Sequence, residues 1–490
     1  MARQSTGTGW SSGRRLAEAV LAAGLWGMAA CGGDSGAPQT VAPLPVGGSL
    51  IVPVRHAAPE GPQLELDYRR LPSLTAAPAS PIVYLPPGPG QSAVAAAGGT
   101  LAPLFERLRA EAEVVLLDQR GTGLSGPRYL SCDLGPLPLD QPGDADLYRR
   151  LLLPRFALCL ERLDALGVDV GGLTAAESVG DLKRLAAAIG AERLRLLAVG
   201  YGTHLALALL RRHPELVERL VLVSVEGPDQ TFKRPALVDA QLDRLTPFVG
   251  RRAGGGTLSL RASLAEHLAD IERQPRQLLA SSGRAVVVGR WDLAKWIADG
   301  VGSSRAATSL PGRLRRLEAG DLSGLVEWVA GYRRGPFVDV GTVAVDCASF
   351  ASPERREQIA RDATRSLLGT AIDFPTNVLC EAPGLPRLAS GWRQPVESDR
   401  PVLLVSGELD GRTPPENAAA VASGLSNAVL IDVENGFHGV ELLGSSAELQ
   451  DLVHDFLDGR APQTTGLRLD PPELRQRSIP ELGGGSGEGP

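Results

Sequence analysis

Short apolar runs alternate with stretches of helical periodicity along most of the chain. Apolar runs bounded by glycine, proline or aspartate are typical of buried strands, whereas apolar residues three and four apart are typical of helices. The pattern predicts strands at 49–55, 63–71, 82–85, 114–117, 194–199, 220–224, 401–406 and 429–433. It predicts helices at 101–112, 175–189, 203–212, 415–425 and 447–457. Such alternation predicts the α/β class, with a mostly parallel central sheet covered by helices on both faces.

The alternation breaks between residues 228 and 399, where the pattern is largely helical. An insertion between two strands of the sheet is expected to form a lid over the carboxyl ends of the strands, where α/β proteins bind ligands. The core then consists of 49–227 and 400–469. The lid carries four tryptophans, which we expect mainly in its own core, with lining of a pocket as the alternative: Trp291, Trp296, Trp328 and Trp392.

Both ends of the chain lie outside this pattern. Two arginines precede a short apolar run that ends before Cys31. A span of the bilayer needs roughly 20 apolar residues, so the shorter run indicates a signal peptide over 1–30. Residues 31–48 and 470–490 are rich in glycine and proline. We expect a flexible tether and a disordered tail there.

The signal peptide ends in a motif of its own. Residues 28–31, Met-Ala-Ala-Cys, resemble the lipobox of bacterial lipoproteins, although leucine is commoner in place of the methionine. The resemblance implies an exported cell-envelope lipoprotein, periplasmic or on the outer surface, held to a membrane by lipid on Cys31. An ordinary secretory peptide is the alternative.

Four further cysteines remain if Cys31 carries lipid: Cys132, Cys159, Cys347 and Cys380. An even number in an oxidising compartment is typical of two disulfides, with four buried thiols as the alternative. The sequence allows three pairings. Pairing of nearest neighbours would close loops worth about 3–4 kcal/mol each in the chain-entropy model. No cysteine or histidine spacing is typical of zinc, so we expect no metal site.

Two classes of partner are excluded by simple observations. The net charge of -6 and the absence of a basic stripe argue against nucleic-acid binding. The glycines at 121, 123 and 126 match the letters of a dinucleotide-binding loop, but Pro127 follows and no helix is predicted there. We therefore interpret 121–126 as a turn and expect no cofactor.

The segment 194–212 carries the clearest chemical motif. An apolar strand, a tight turn and an apolar helix follow one another, which is the setting of the nucleophile elbow G-x-S-x-G of α/β-hydrolases. The serine position holds Gly200. Glycine tolerates the positive φ of such an elbow, which costs other residues about 1–3 kcal/mol. It cannot form an acyl-enzyme, and loss of the nucleophile cost about 2 × 10⁶ in kcat in subtilisin.

The other two groups of a catalytic triad are present. Asp410 follows the strand 401–406 and His438 follows the strand 429–433. In α/β-hydrolases the acid and the histidine come after the elbow in this order. The acid holds the imidazole in one tautomer, and the imidazole moves the proton.

Together these motifs resemble the proline iminopeptidase and tripeptidyl aminopeptidase group of α/β-hydrolases. The resemblance runs from about residue 52 to about residue 457, and the matching segments are 85–92 (oxyanion loop), 118–126 (the DQRGTG segment), 410–414 (acid) and 436–439 (histidine). The four cysteines lie where exported members carry paired cysteines. The resemblance implies an α/β-hydrolase fold and cleavage of residues from peptide amino termini, with the substrate admitted by the lid.

The sequence differs from the pattern of this group at the elbow and at the oxyanion loop. Gly200 replaces the serine, Ala198 replaces the leading glycine of the elbow, and Pro87 replaces a glycine of the oxyanion loop. Proline has no N–H to donate. The oxyanion donors that remain are expected to be the backbone N–H groups of Gly88 and Tyr201.

Three functions follow from these observations. The first is a non-catalytic member of the group that binds a peptide or small molecule under the lid. The second is an active hydrolase that uses Ser92, Ser224 or Glu226 as nucleophile, or a water activated by His438. The third is a structural or adhesive surface lipoprotein.

Overall fold

The computed structural model describes residues 46–128, 130–248, 259–301 and 304–472. The predictions for the signal peptide, the lipidated Cys31, most of the tether and most of the tail lie outside these ranges. The first strand already begins at Val46, within the segment predicted as tether. None of the helices in the described ranges is long and apolar enough to cross a membrane.

The strands are β1 (Val46–Pro53), β2 (Gln63–Leu71), β3 (Ala79–Leu85), β4 (Ala112–Leu117), β5 (Ser131–Asp133), β6 (Leu194–Val199), β7 (Val217–Val223), β8 (Arg276–Leu279), β9 (Ala285–Val288), β10 (Phe337–Asp339), β11 (Val402–Gly407), β12 (Ala428–Glu434) and β13 (Gly466–Arg468). All eight predicted strands are present. β5, β8, β9, β10 and β13 were not predicted, because short strands lack a run long enough to show alternation.

The helices are α1 (Ala102–Leu108), α2 (Ala145–Ala165), α3 (Ala175–Ala188), α4 (Tyr201–Arg212), α5 (Pro235–Leu245), α6 (Leu260–Arg273), α7 (Arg290–Val301), α8 (Ser304–Ala307), α9 (Leu310–Glu318), α10 (Ser323–Tyr332), α11 (Val340–Ser349), α12 (Pro353–Ala363), α13 (Thr376–Leu379), α14 (Pro415–Ala422), α15 (Gly439–Leu443) and α16 (Ala447–Leu457). All five predicted core helices are present, and α16 has the predicted bounds. The long helix α2 was not predicted.

Nine strands form the central sheet, in the order β1-β2-β4-β3-β6-β7-β11-β12-β13. β1 pairs with β2, and β2 with β4, in antiparallel fashion. All other neighbours in this sheet are parallel. This arrangement confirms the predicted α/β class.

Two apolar layers sandwich the sheet, because successive strand residues point to opposite faces. Leu196 belongs to the cluster on one face, which includes α3 and α4. Its neighbour Leu197 belongs to the cluster on the other face, which includes α1 and α16. The sheet is therefore buried on both sides, as its uninterrupted apolar strands require.

A second, largely helical layer has apolar clusters of its own. Between β7 and β11 the chain forms α5 to α13, with a core that contains Leu264, Trp296, Ile297 and Leu325. The segment before the elbow also contributes: β5 pairs with β10, and α2 shares an apolar cluster with α11 and α13. Two separate segments of the chain thus build this layer, of which only 228–399 was predicted as lid.

Two disulfides lie in this layer. Cys132 is bonded to Cys159, and Cys347 to Cys380. The first bond attaches β5 to α2, and the second attaches α11 to the end of α13. Of the three pairings the sequence allowed, the structure contains the one between nearest neighbours, and the prediction of two disulfides is confirmed.

Candidate active-site cavity

The bend predicted at residue 200 joins β6 to α4 directly. Gly200 has φ 53° and ψ -123°, a conformation that glycine adopts far more easily than other residues. Its N–H donates to the carbonyl of Val223 at 2.9 Å, and its own carbonyl accepts the hydroxyl of Thr203 at 2.6 Å. The elbow is thus held by the neighbouring strand and by the first turn of α4.

The loop after β3 packs directly onto this elbow. The carbonyl of Pro87 accepts the N–H of Tyr201 at 2.9 Å, and the carbonyl of Pro86 accepts the N–H of Gly202 at 3.1 Å. A Cβ atom on Gly200 would lie 2.5 Å from the Pro87 oxygen. The space in which a side chain at position 200 would begin is therefore filled by backbone.

This packing bears on the expected oxyanion donors. The sequence predicted that the N–H of Tyr201 would face a substrate oxygen, but in this structure Pro87 accepts it. Gly88 lines the cavity, and its carbonyl accepts the N–H of Gln91 at 3.3 Å. The oxyanion role of Gly88 stays a prediction, whereas Tyr201 can take that role only if Pro87 moves.

Asp410 and His438 come together although 28 residues separate them. The imidazole Nδ1 lies 2.8 Å from Asp410 Oδ2, and the Thr413 hydroxyl donates to the same oxygen at 2.7 Å. An ionised carboxylate only accepts hydrogen bonds, so we assign the proton to Nδ1 of His438. The pair has the geometry of the acid–histidine half of a triad.

The charge of Asp410 is stabilised although its side chain is fully buried. Burial by itself raises the pKa of a carboxyl. The His438 imidazole and the hydrogen bonds from Thr413 outweigh that effect, so the pKa of Asp410 lies below its usual value. Asp410 is thus an anion that can hold the imidazole in place.

Ser224 supports the other side of His438. It directly follows β7 and has φ 54°, which is unusual for a residue other than glycine. Its side chain is fully buried, and its Oγ accepts the N–H of Gly439 at 2.8 Å. This bond ties the turn that carries His438 to the sheet.

The other two candidate nucleophiles also have structural partners. The Ser92 hydroxyl donates to Asp118 Oδ1 at 2.7 Å, within the loop that follows β3. Glu226 forms an ion pair with Lys233 Nζ at 2.6 Å. Both side chains are thus engaged in contacts that hold neighbouring segments together.

The turn at 121–126 is built tightly around Asp118. A Cβ on Gly123 would overlap with Asp118 Oδ2. The N–H of Gly121 donates to the carbonyl of Gly126 at 2.9 Å. The next helix the structure describes begins at Ala145, so no helix N-terminus follows this turn to hold a pyrophosphate.

A cavity of about 600 Å³ opens above the elbow, between the sheet and the helical layer. Its walls come from the oxyanion loop, the elbow, the acid and histidine loops and the helices α7 and α11. The lining includes Gly88, Tyr201, Glu226, Lys233, Lys295, Asp299, Asp346, Asp373, Arg412, His438 and Glu441. The lining residues the structure describes include no tryptophan; Trp291 and Trp296 pack within the helical layer, as expected.

The cavity is rich in charge and more acidic than basic. Lys233 bridges two acidic residues, since its Nζ pairs with Glu226 and its N–H donates to Asp373 at 2.8 Å. Burial raises the pKa of Asp346 to about 7 and that of Asp373 to about 6. The value of about 7 for Asp346 includes a smaller contribution from the nearby Glu226 carboxylate, which raises the pKa because like charges repel.

Sequence reasoning missed these charged residues as a group. Glu226, Asp346 and Asp373 lie on three distant segments, and only the folding of the helical layer brings them together. The chain has only three lysines, of which Lys233 and Lys295 line the cavity, but the scarcity of a residue type does not indicate where it lies. Among the described residues, no group of three or more histidine, cysteine, aspartate or glutamate side chains is placed to hold a metal ion.

Comparison with known proteins identifies related chains. Residues 374–466 match the model of the family described as TAP-like protein, and this segment contains Asp410 and His438. The chain has an α/β-hydrolase fold. It is 26% identical to the tripeptidyl aminopeptidase of Streptomyces coelicolor over 450 residues, which cover 84% of this chain and 80% of that protein.

Two further similarities are weaker or shorter. The chain is 28% identical to serine protease Hip1 of Mycobacterium tuberculosis over 189 residues, which cover 37% of this chain and 36% of that protein. It is 19% identical to the proline iminopeptidase-related protein of Thermus thermophilus, with a TM-score of 0.36, over 84% of this chain and 98% of that one. The sequence similarities support an α/β-hydrolase of the tripeptidyl aminopeptidase-like type.

Proposed function

We propose that this α/β-hydrolase binds the amino-terminal end of a peptide in the cavity above Gly200 and forms no acyl-enzyme there. The observation that carries the proposal is the position of Pro87. Its carbonyl oxygen lies 2.5 Å from the place of a Cβ on Gly200 and accepts the N–H of Tyr201. Both the space for a nucleophile and one expected oxyanion donor are thereby occupied.

The acidic lining supports a ligand with a positively charged amino group. Asp346 lies in the cavity wall, and its carboxylate has no hydrogen-bond or ion-pair partner among the described residues. Asp373 and Glu226 lie on the same cavity, and both are already bonded to Lys233. A ligand amine at Asp346 would supply the partner this carboxylate lacks. The name of the related tripeptidyl aminopeptidase is consistent with an amino-terminal ligand.

The cavity also has a suitable size. Its volume of about 600 Å³ lies within the range of roughly 300–1,000 Å³ usual for small-molecule sites. A short peptide end fits such a space, whereas a folded protein surface does not.

Two measurements on the full chain test the proposal. A fluorophosphonate probe, which labels activated serines, should leave the unmodified protein unlabelled. Isothermal titration should detect binding of trialanine but not of N-acetyl-trialanine, whose amino group is blocked. Asp346→Asn should weaken trialanine binding at least tenfold, while Glu354→Gln, an exposed acid outside the cavity, should leave it unchanged. Labelling of the unmodified protein, or equal binding of the two peptides, would contradict the proposal.

A second function is favoured by one observation, the preserved pair of Asp410 and His438 at 2.8 Å. Such a pair can activate a water as general base without a nucleophilic side chain. This alternative predicts slow hydrolysis of aminoacyl esters or amides by a protein that the fluorophosphonate probe does not label. His438→Ala should abolish that turnover and Asp410→Asn should reduce it. Turnover unaffected by both changes would exclude this function.

Export to the cell envelope is part of the proposal. It is supported by the resemblance of residues 28–31 to a lipobox and by the two disulfides, which are typical of oxidising compartments. In a bacterial host, the protein should be recovered in the membrane fraction. Cys31→Ser should move it to the soluble fraction, and recovery of this variant in the membrane would contradict the lipid anchor.

A further inference from the structure

Arg412 carries a charge that the protein itself leaves without a partner. It follows Asp410 in the acid loop and lines the cavity. Its side chain is exposed, and its guanidinium group has no hydrogen-bond or ion-pair partner among the residues the structure describes. The other two cationic side chains of the lining are paired, Lys233 with Glu226 and Lys295 with Asp299.

Asp346 is the acidic counterpart of Arg412. Both line one cavity, and they form no ion pair with each other. The charge of Arg412 is nonetheless near enough to lower the pKa of Asp346 and of Asp373. The cavity therefore presents a positive and a negative group of which neither is neutralised by a direct contact.

We propose that Arg412 binds the α-carboxylate of a short free peptide whose amino group lies at Asp346, so that the ligand is a zwitterion. The inference rests on the proposed peptide-binding function and adds that the peptide ends within the cavity. A guanidinium group presents parallel N–H donors that match a carboxylate, and it keeps its charge throughout the physiological pH range. A longer chain would carry a neutral amide at this place and would leave Arg412 without an anion.

The backbone of residue 412 has a structural role that does not depend on its side chain. Its backbone N–H, at 2.9 Å from Asp410 Oδ1, helps to hold the acid. Any residue with a backbone N–H can do the same, so Arg412→Gln should keep the pair of Asp410 and His438. The side chain can thus be tested without disturbing the acid loop.

The experiment compares trialanine with trialanine amide by isothermal titration against the full chain. Amidation removes the carboxylate charge and keeps the amino group. The unmodified protein should bind the free acid at least tenfold more tightly than the amide. Arg412→Gln should bind the free acid only as weakly as the amide and should leave the affinity for the amide unchanged. Arg150→Gln, an exposed arginine of α2, serves as the matched control and should behave like the unmodified protein.

The outcomes separate the two proposals. If trialanine and its amide bind equally to the unmodified protein, or if Arg412→Gln weakens both to the same extent, the carboxylate role is wrong and peptide binding stands. If neither peptide binds, the proposed function is wrong and the role of Arg412 falls with it.

Discussion

The carbonyl oxygen of Pro87 lies 2.5 Å from the point where a Cβ on Gly200 would be, and its Cα lies 3.1 Å from that point. Gly200 and Pro87, two of the residues at which the sequence departs from the hydrolase pattern, lie far apart in the sequence but are in contact. Glycine at position 200 leaves a space, and the loop that carries Pro87 fills it. A serine side chain at position 200 would therefore meet the loop that carries Pro87.

We expect Gly200→Ser to destabilise the protein without making it reactive. The new Cβ meets backbone atoms, which yield less easily than the end of a side chain, and the positive φ adds a strain of about 1–3 kcal/mol. The loss of unfolding free energy, measured by urea denaturation, should be at least about 2 kcal/mol. The fluorophosphonate probe should not label this variant.

A matched control isolates the steric contribution. Gly190 has φ 71° and no atom within 4 Å of its Cβ position, so Gly190→Ser carries the backbone strain alone. Adding Pro87→Gly to Gly200→Ser should recover part of the lost stability and permit labelling, because the loop can then withdraw. Equal losses for Gly200→Ser and Gly190→Ser would show that Pro87 does not occupy the space.

The side chain of Ser224 should stabilise the protein through a hydrogen bond, whereas the positive φ of this residue should destabilise it. Ser224→Ala removes the acceptor of the Gly439 N–H, at 2.8 Å, and leaves that buried N–H without a partner. We expect a loss of about 1–3 kcal/mol in the free energy of unfolding. Ser224→Gly loses the same bond but relieves the φ of 54°, so it should be more stable than Ser224→Ala by roughly 1 kcal/mol.

The Ser224 variants also test how His438 is held. The imidazole resonances of His438, followed by NMR in both variants, should shift because the turn that carries the ring loses an anchor. Unchanged resonances would mean that the bond between Ser224 and Gly439 does not help to fix the ring.

The pair of Lys233 and Glu226 should tolerate joint removal better than the loss of one partner. Their side chains are 5% and 9% exposed. Lys233→Met leaves Glu226 as a buried anion beside two other acids, for which we expect a loss of about 3–5 kcal/mol in the free energy of unfolding. Lys233→Met with Glu226→Gln should be close to the unmodified protein. A double variant as unstable as Lys233→Met would show that the lysine acts through its other contacts.

The stability of the protein should respond to pH through Asp346 in a direction opposite to that of Asp410. The pKa of Asp346 is raised to about 7 in the folded state. Between about pH 4 and pH 7 the folded state therefore holds a proton that the unfolded chain has released, and stability falls as the pH rises. Asp346→Asn should remove this loss, so its advantage over the unmodified protein should grow from pH 4.5 to pH 8 in urea unfolding.

Asp410 provides the comparison. Its folded-state pKa is lowered, so its stabilising effect is present above the usual pKa of an aspartate and is lost as the pH falls through the folded value. Asp410→Asn should therefore cost stability at pH 8 and cost less under strongly acidic conditions. If the effect of Asp346→Asn on stability follows the same pH trend as that of Asp410→Asn, the folded state does not raise the pKa of Asp346.

Much of the core was predictable from the sequence because its signals are local. The strand 194–199 and the helix 447–457 were predicted with their observed bounds. An uninterrupted apolar run or a helical spacing is a property of a few neighbouring residues and does not depend on the rest of the chain. The elbow, the acid and the histidine were predicted for the same reason, because each lies in a short local motif directly after a predicted strand.

The groups that fill the site became known from the folded chain. That Pro87 lies on Gly200, that Ser224 holds the turn of His438, and that Asp346 and Arg412 share a cavity are contacts between distant segments. The amino-acid sequence is enough to establish that the side chain at position 200 has no attacking oxygen, because glycine has no side chain in any fold. It did not determine which groups occupy the space around that position, because packing and charge depend on how the helical layer folds back over the sheet.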